Sequence, residues 1–107
     1  MSGRMYYVYI MSSYSRVLYI GVTSSLERRV EQHRLGVDPN AFTTRYRIHQ
    51  LVYYEEYTEI RDAIDRETQL KAYSRAKKIE LIDTFNPQWV DLALPTAQIP
   101  RRLRGSE

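Results

Sequence analysis

The chain has 107 residues, no cysteine, 43% hydrophobic and 27% charged residues, and a formal net charge of +3. Those values fit one compact domain with a modest core, and they exclude a disulfide framework, a thiolate metal site and a cysteine nucleophile. With no run of about 18 apolar residues and no apolar leader in the first ten, a cytoplasmic protein without a membrane span is expected, and the mild excess of base permits a polyanionic partner.

Met5 to Met11 and Val17 to Val22 are rich in β-branched and aromatic residues and flank the polar Ser12 to Arg16, the pattern of a hairpin with a short loop. With Tyr9 opposite Tyr19, alternation puts Val8, Ile10, Leu18 and Ile20 on one face as core and leaves the tyrosines on the other. Gly21 reads as a turn glycine leading the strand toward a helix. Ser24 followed by Glu27 matches a capping box, so a helix is predicted from about Ser25 to Leu35, with Gly36 as its stop.

Val37 to His49, with Asp38-Pro39-Asn40 and the basic Arg45, Arg47 and His49, reads as a mobile, solvent-facing connection. Gln50 to Tyr57 returns to strand character. Thr58 is placed to cap a second helix, in which Ile60, Ala63, Ile64 and Leu70 recur at helical spacing through about Tyr73. A third, Arg75 to Phe85, buries Ile79, Leu81, Ile82 and Phe85 and ends at Asn86-Pro87. Trp89, Val90, Leu92 and Leu94 are placed to pack back on the body. Residues 1–95 thus form one α/β (α+β) domain, a small, mainly antiparallel three-stranded sheet flanked by helices, and 96–107, with Arg101, Arg102 and Arg104, read as a flexible basic tail.

On the first helix, Leu26 and Val30 mark the inward side; at about 100° per residue Arg29 and His33 lie on or beside it, while Arg28 points away. Taken alone, Arg29 packs its stem and His33 suits the negative end of the helix dipole. On the second helix Glu67 projects close to the centre of the apolar stripe. A carboxylate there is salt-bridged, protonated or metal-bound, and Lys71, four residues on, offers the ion pair. Together these are the side chains that phosphodiester hydrolysis needs. A carboxylate holds one hard divalent ion, an arginine stabilises phosphoryl charge, and tyrosines position or deprotonate water when a cationic environment lowers their pKa. Arg45, Arg47, Lys71, Arg75, Lys77 and Lys78 are candidates to neutralise phosphates, diluted by Glu55, Glu56 and Glu59. The ten tyrosines serve either core packing or base stacking.

Tyr7-Val8-Tyr9 and Tyr19-Ile20-Gly21, followed by Arg29, His33 and the later Glu67, resemble the GIY-YIG nuclease family. The resemblance covers roughly residues 5 to 85, and Arg66-Glu67-Thr68-Gln69-Leu70-Lys71, Ser74-Arg75-Ala76-Lys77-Lys78 and Asn86-Pro87-Gln88-Trp89 place it with the small standalone bacterial subgroup. It implies the GIY-YIG fold and a metal-dependent endonuclease acting on DNA in repair or processing, with one Mg²⁺ or Mn²⁺ held by Glu67. Tyr9 and Tyr19 would be the paired active-site tyrosines, Arg29 the phosphate-stabilising arginine and His33 the aid to proton transfer. Asn86 is either the counterpart of a family asparagine or a helix stop. The first motif lacks the family's glycine, and no appended DNA-reading module is visible, so a protein partner would supply targeting. Two other readings stand beside this one: a nucleic-acid-binding module that does not cut, and an interaction domain whose tyrosine face meets protein.

Overall fold

The computed structural model describes residues 4–36 and 40–93. Three strands, β1 (Tyr6–Ser12), β2 (Leu18–Thr23) and β3 (Gln50–Tyr57), form one antiparallel sheet in the order β2-β1-β3. The central strand is covered on both faces, and Val8, Tyr9, Ile10 and Met11 have no accessible surface. That is why its sequence is apolar or aromatic from Tyr6 to Met11 instead of alternating with polar residues. On one face Val8, Ile10, Ile20 and Val52 pack against α3 (Ile60–Ala72) and α4 (Arg75–Phe85) through Ala63, Leu70 and Ile82, closed by Trp89. On the other, Tyr9 and Met11 pack with Val30 of α1 (Leu26–Leu35), Ile48 and Leu51. The tyrosine face is therefore a second core and not an open surface, because a phenol ring carries enough apolar area to be worth covering.

Tyr9 stands opposite Gly21 and Met11 opposite Tyr19, a register shifted by two residues from the expected pairing. A shift of two keeps every side chain on its face, so both tyrosines still share one side of the sheet. Gly21 is not a turn glycine. It is buried within β2, and among the described glycines a positive φ belongs to Gly36. Its missing side chain makes room: a Cβ there would lie 2.6 Å from the Tyr9 hydroxyl oxygen. A bulge opposite Ile10 and Met11 turns both Val52 and Tyr53 of β3 into the α3/α4 core.

Gly36 ends α1 as expected, at φ 63°, its N–H donating to the carbonyls of Gln32 and His33. The capping box does not form. Ser25 occupies the N-cap without a side-chain bond, Ser24 Oγ accepts from Arg4 at 3.3 Å, and Thr23 Oγ1 accepts the Ser25 N–H at 3.0 Å. Glu59, not Thr58, precedes α3. Ser74 caps α4, its Oγ accepting the Lys77 N–H at 3.1 Å.

The expected solvent-facing connection is instead structured across residues 40–49. A four-residue helix, α2 (Phe42–Arg45), buries Thr43, and Ile48 enters the core beneath α1. Asp38 and Pro39 lie outside the described residues, as do Leu94 and 96–107. On α3, Ala63 and Leu70 are fully buried, whereas Ile60 and Ile64 are exposed. The inward stripe is rotated toward Arg66 and Tyr73, which puts Glu67 at its border and not its centre. The rotation accompanies a partly buried polar cluster. Glu55 on β3 accepts hydrogen bonds from Tyr53, from Tyr57 at 2.6 Å and from Arg66 Nε at 3.0 Å, and Arg66 Nη1 reaches Gln69 at 2.7 Å. Phe85 is half exposed, its ring edge-on to Tyr53 with centroids 4.8 Å apart.

Asn86 is committed to holding the chain. It is buried, its Nδ2 donates to the carbonyls of Val52 at 3.1 Å and Val90 at 2.9 Å, and its Oδ1 accepts the Val90 N–H at 3.2 Å. Trp89 packs back as expected while Val90 stays exposed. No described helix is long and apolar enough to cross a membrane.

Candidate active site

Strand alternation puts Tyr9 and Tyr19 on the α1 side of the sheet, and one turn of α1 separates Arg29 from His33. Arg29 is half buried and Arg28 exposed, as helical spacing predicts. The Tyr9 hydroxyl lies 3.1 Å from His33 Nε2, and the Tyr19 ring stands edge-on to the imidazole with centroids 5.1 Å apart. The two tyrosine rings are 6.2 Å apart. On its far side His33 Nδ1 lies 2.9 Å from Thr43 Oγ1. Thr43 escaped the sequence reading because a contact across ten positions, made from a single turn of helix, leaves no periodic signal.

Burial pushes the Tyr9 phenol well above its ordinary pKa, and Tyr19 adds to this; the charge and hydrogen bond of Arg29 pull it back without prevailing. The cationic environment expected to make Tyr9 a ready base is thus present but outweighed. Burial, reinforced by Arg29, holds His33 below the usual imidazole value. At neutral pH the phenol keeps its proton and the imidazole is neutral; the two atoms are within hydrogen-bond reach, and both shifts oppose moving the proton from Tyr9 to Nε2 in the free protein. Tyr9 has no accessible surface, whereas Tyr19 and His33 are partly exposed.

Glu67 makes no hydrogen bond to this group, although its helix α3 packs against β1 and the edge strand β2, which carry the two tyrosines. Its Oε2 accepts from Lys71 Nζ at 3.1 Å, with the carboxylate side chain 18% and the lysine 57% exposed. It belongs to α3, which packs on the opposite face of the sheet from α1. Among the described residues no group of three or more His, Cys, Asp or Glu gathers into a metal cage. A lone, partly accessible carboxylate fits a hard ion such as Mg²⁺, which keeps several waters and binds through one or two carboxylates plus substrate phosphate, and not a zinc-type site.

The predicted phosphate-binding cations divide. Arg75 Nη2 donates to the Arg16 carbonyl at 2.8 Å, and Arg16, Arg75 and Lys78 line a pocket of about 320 Å³ at the β1–β2 turn. Lys77 Nζ lies 4.5 Å from the Tyr73 ring centre, and Lys71 is held by Glu67. Arg45 and Arg47 are exposed at and just after the end of α2. A larger cleft of about 700 Å³ opens on the other flank of α1, beside Tyr7 and Tyr54. It carries Glu27, Glu31 and Glu56, which would repel a phosphate, and the Tyr9–His33 contact is not part of it.

The GIY-YIG catalytic domain model matches residues 5–80. A UPF0213 protein of Syntrophus aciditrophicus is 35% identical over 82 residues, covering 77% of this chain and 93% of its own. Another, from Natronomonas pharaonis, is 40% identical over 77 residues, covering 72% and 89%. The solution NMR structure of a UPF0213 protein from Bacillus halodurans superposes with a TM-score of 0.53 at 28% identity, over 81% of this chain and 92% of that one. With its two tyrosine motifs on one sheet face beside the α1 arginine and histidine, the chain belongs to the GIY-YIG nuclease family, among its small UPF0213 proteins.

Proposed function

We propose that this protein is a cytoplasmic, metal-dependent endonuclease that hydrolyses phosphodiester bonds in DNA during repair or processing. The observation that carries this reading is the 3.1 Å contact between the Tyr9 hydroxyl and His33 Nε2, with Tyr19 and Arg29 beside it. Arg29 donates to the phosphoryl oxygens as charge develops on them. Tyr19, partly exposed at the start of the edge strand β2, orients the water. Tyr9 takes the water's proton at its oxygen as its own passes to His33 Nε2. Tyr9 is covered in the free protein, so this step goes with a shift of the neighbouring Tyr19 ring. Glu67, released from Lys71, would hold one Mg²⁺ or Mn²⁺, which supplies further charge stabilisation when bound. Arg16, Arg75 and Lys78 beside the β1–β2 turn, and Arg45 and Arg47 at the end of α2, are the cations that would neutralise flanking phosphates. A protein partner would supply targeting.

The ion pair on Glu67 and the closed Tyr9 favour a second reading, a nucleic-acid-binding module that does not cut. Cleavage of supercoiled, linear, single-stranded and branched DNA, with RNA of matching sequence, in Mg²⁺, Mn²⁺ or chelator, decides between them. Glu67→Ala should abolish metal-dependent cutting yet fold normally, since an i,i+4 pair with an exposed lysine is worth about 0.5 kcal/mol or less. Wild-type turnover in that variant would remove the metal-site role; no cutting by either protein, with DNA retained in a binding assay, would leave the binding module.

A further inference from the structure

We infer that Thr43 is a positioning residue: its hydroxyl accepts the Nδ1–H of His33 and so holds the imidazole in the tautomer whose Nε2 can take the Tyr9 proton. The catalytic consequence rests on the nuclease reading; the tautomer does not.

The other buried polar side chains described are occupied with one another or with backbone. Ser12 donates to the Ser13 carbonyl, Ser13 accepts the Val17 N–H, Thr23 accepts the Ser25 N–H, and Asn86 holds Val52 and Val90. Thr43 differs in aiming its hydroxyl at a titratable ring, 2.9 Å from His33 Nδ1. The direction of that bond follows from the far side of the ring. A phenol gives up its hydrogen more readily than an aliphatic hydroxyl does and accepts one less readily, so of the two oxygens that flank the ring, Tyr9 is the one that donates, to Nε2. Nε2 is then the bare nitrogen, the ring hydrogen sits on Nδ1, and the threonine hydroxyl offers the lone pair that receives it.

The groups facing His33 are Tyr9 from β1, Tyr19 from β2, Arg29 from its own helix and Thr43 from α2. None is an anion. When the Tyr9 proton moves to Nε2, the imidazolium gains orientation from Thr43 but no counter-charge, beside an arginine that disfavours it. His33 is therefore a transient holder of the proton, and a carboxylate at position 43 would turn it into a lasting one.

Ring ¹⁵N shifts of the two histidines in the full chain report the tautomer without any cleavage, with His49→Gln assigning the signals. The wild type should show Nδ1–H, Thr43→Ser should keep it, and Thr43→Val should move the population toward Nε2–H. Thr43→Asp should raise the His33 titration midpoint. In the cleavage assay Thr43→Val should lower kcat by on the order of 10–100-fold, with KM for DNA little changed and Thr43→Ser restoring most of the rate. An Nε2–H ring in the wild type, or an unchanged Nδ1–H ring in folded Thr43→Val, would overturn the assignment. Should Thr43→Val not fold, the wild-type and Thr43→Ser spectra still decide it. Tautomers as stated in a protein that cuts nothing would uphold Thr43 and remove the nuclease reading instead.

Discussion

Gly21→Ala places a methyl group where the Tyr9 ring already lies. The added carbon would stand 2.6 Å from the phenol oxygen, 2.7 Å from Cζ and 2.9 Å from Cε1. Ordinary van der Waals separation requires the ring to retreat by roughly 1 Å. Tyr9 has no accessible surface and packs among Met11, Val30, Ile48 and Leu51, so it has no free space to enter. Overpacking of this kind costs about 1–3 kcal/mol, offset by about 0.5–1 kcal/mol that alanine gains over glycine within a strand. The net loss centres on about 1 kcal/mol, or a melting temperature lower by about 4–8 °C for a domain of this size. The same displacement draws the hydroxyl away from His33 Nε2, now 3.1 Å off, so cleavage should fall by more than the lost stability explains. Calorimetry and the DNA assay measure the two effects separately. In a Tyr9→Leu background the shorter side chain leaves position 21 free, and the cost of alanine there should shrink by about 1 kcal/mol in a double-mutant cycle. A Gly21→Ala protein as stable as the wild type, with an unchanged His33 spectrum, would refute the close-approach account.

Two further perturbations probe the other face of the sheet. Burial pushes the Glu55 carboxyl up, but hydrogen bonds from Arg66, Tyr53 and Tyr57 outweigh it and hold the group below its usual range. Its stabilisation is therefore full above pH about 4.5 and is lost as pH falls through the lower folded value. Glu55→Gln should cost about 2–3 kcal/mol at pH 7, because Arg66 loses its counter-ion, and should flatten the fall of melting temperature below pH 4.5; an equally steep fall would show that other carboxylates carry it. Asn86→Ala strands two carbonyls and one N–H and should cost about 2 kcal/mol in urea unfolding, with cleavage per folded molecule unchanged. Lost cleavage at full stability would instead assign Asn86 to the site.

What was legible in the residues is what covalent geometry repeats locally. Period two put Tyr9 and Tyr19 on one face whatever the register, and the helical period put Arg29 and His33 inward and Arg28 outward. Gly36 stopped α1 and Asn86-Pro87 stopped α4 because φ preferences act on single residues. Tertiary packing decided the rest. It slid Tyr9 from Tyr19 to Gly21, where the absent side chain admits a ring, and it covered the tyrosine face with α1 and Ile48. It rotated α3 so that Arg66 meets Glu55 while Ile60 and Ile64 face water, and it brought Thr43 to His33 from a segment that reads as loop. Each of these depends on which distant surface presents the complementary shape, charge or lone pair, and that match exists only once the sheet and helices have come together.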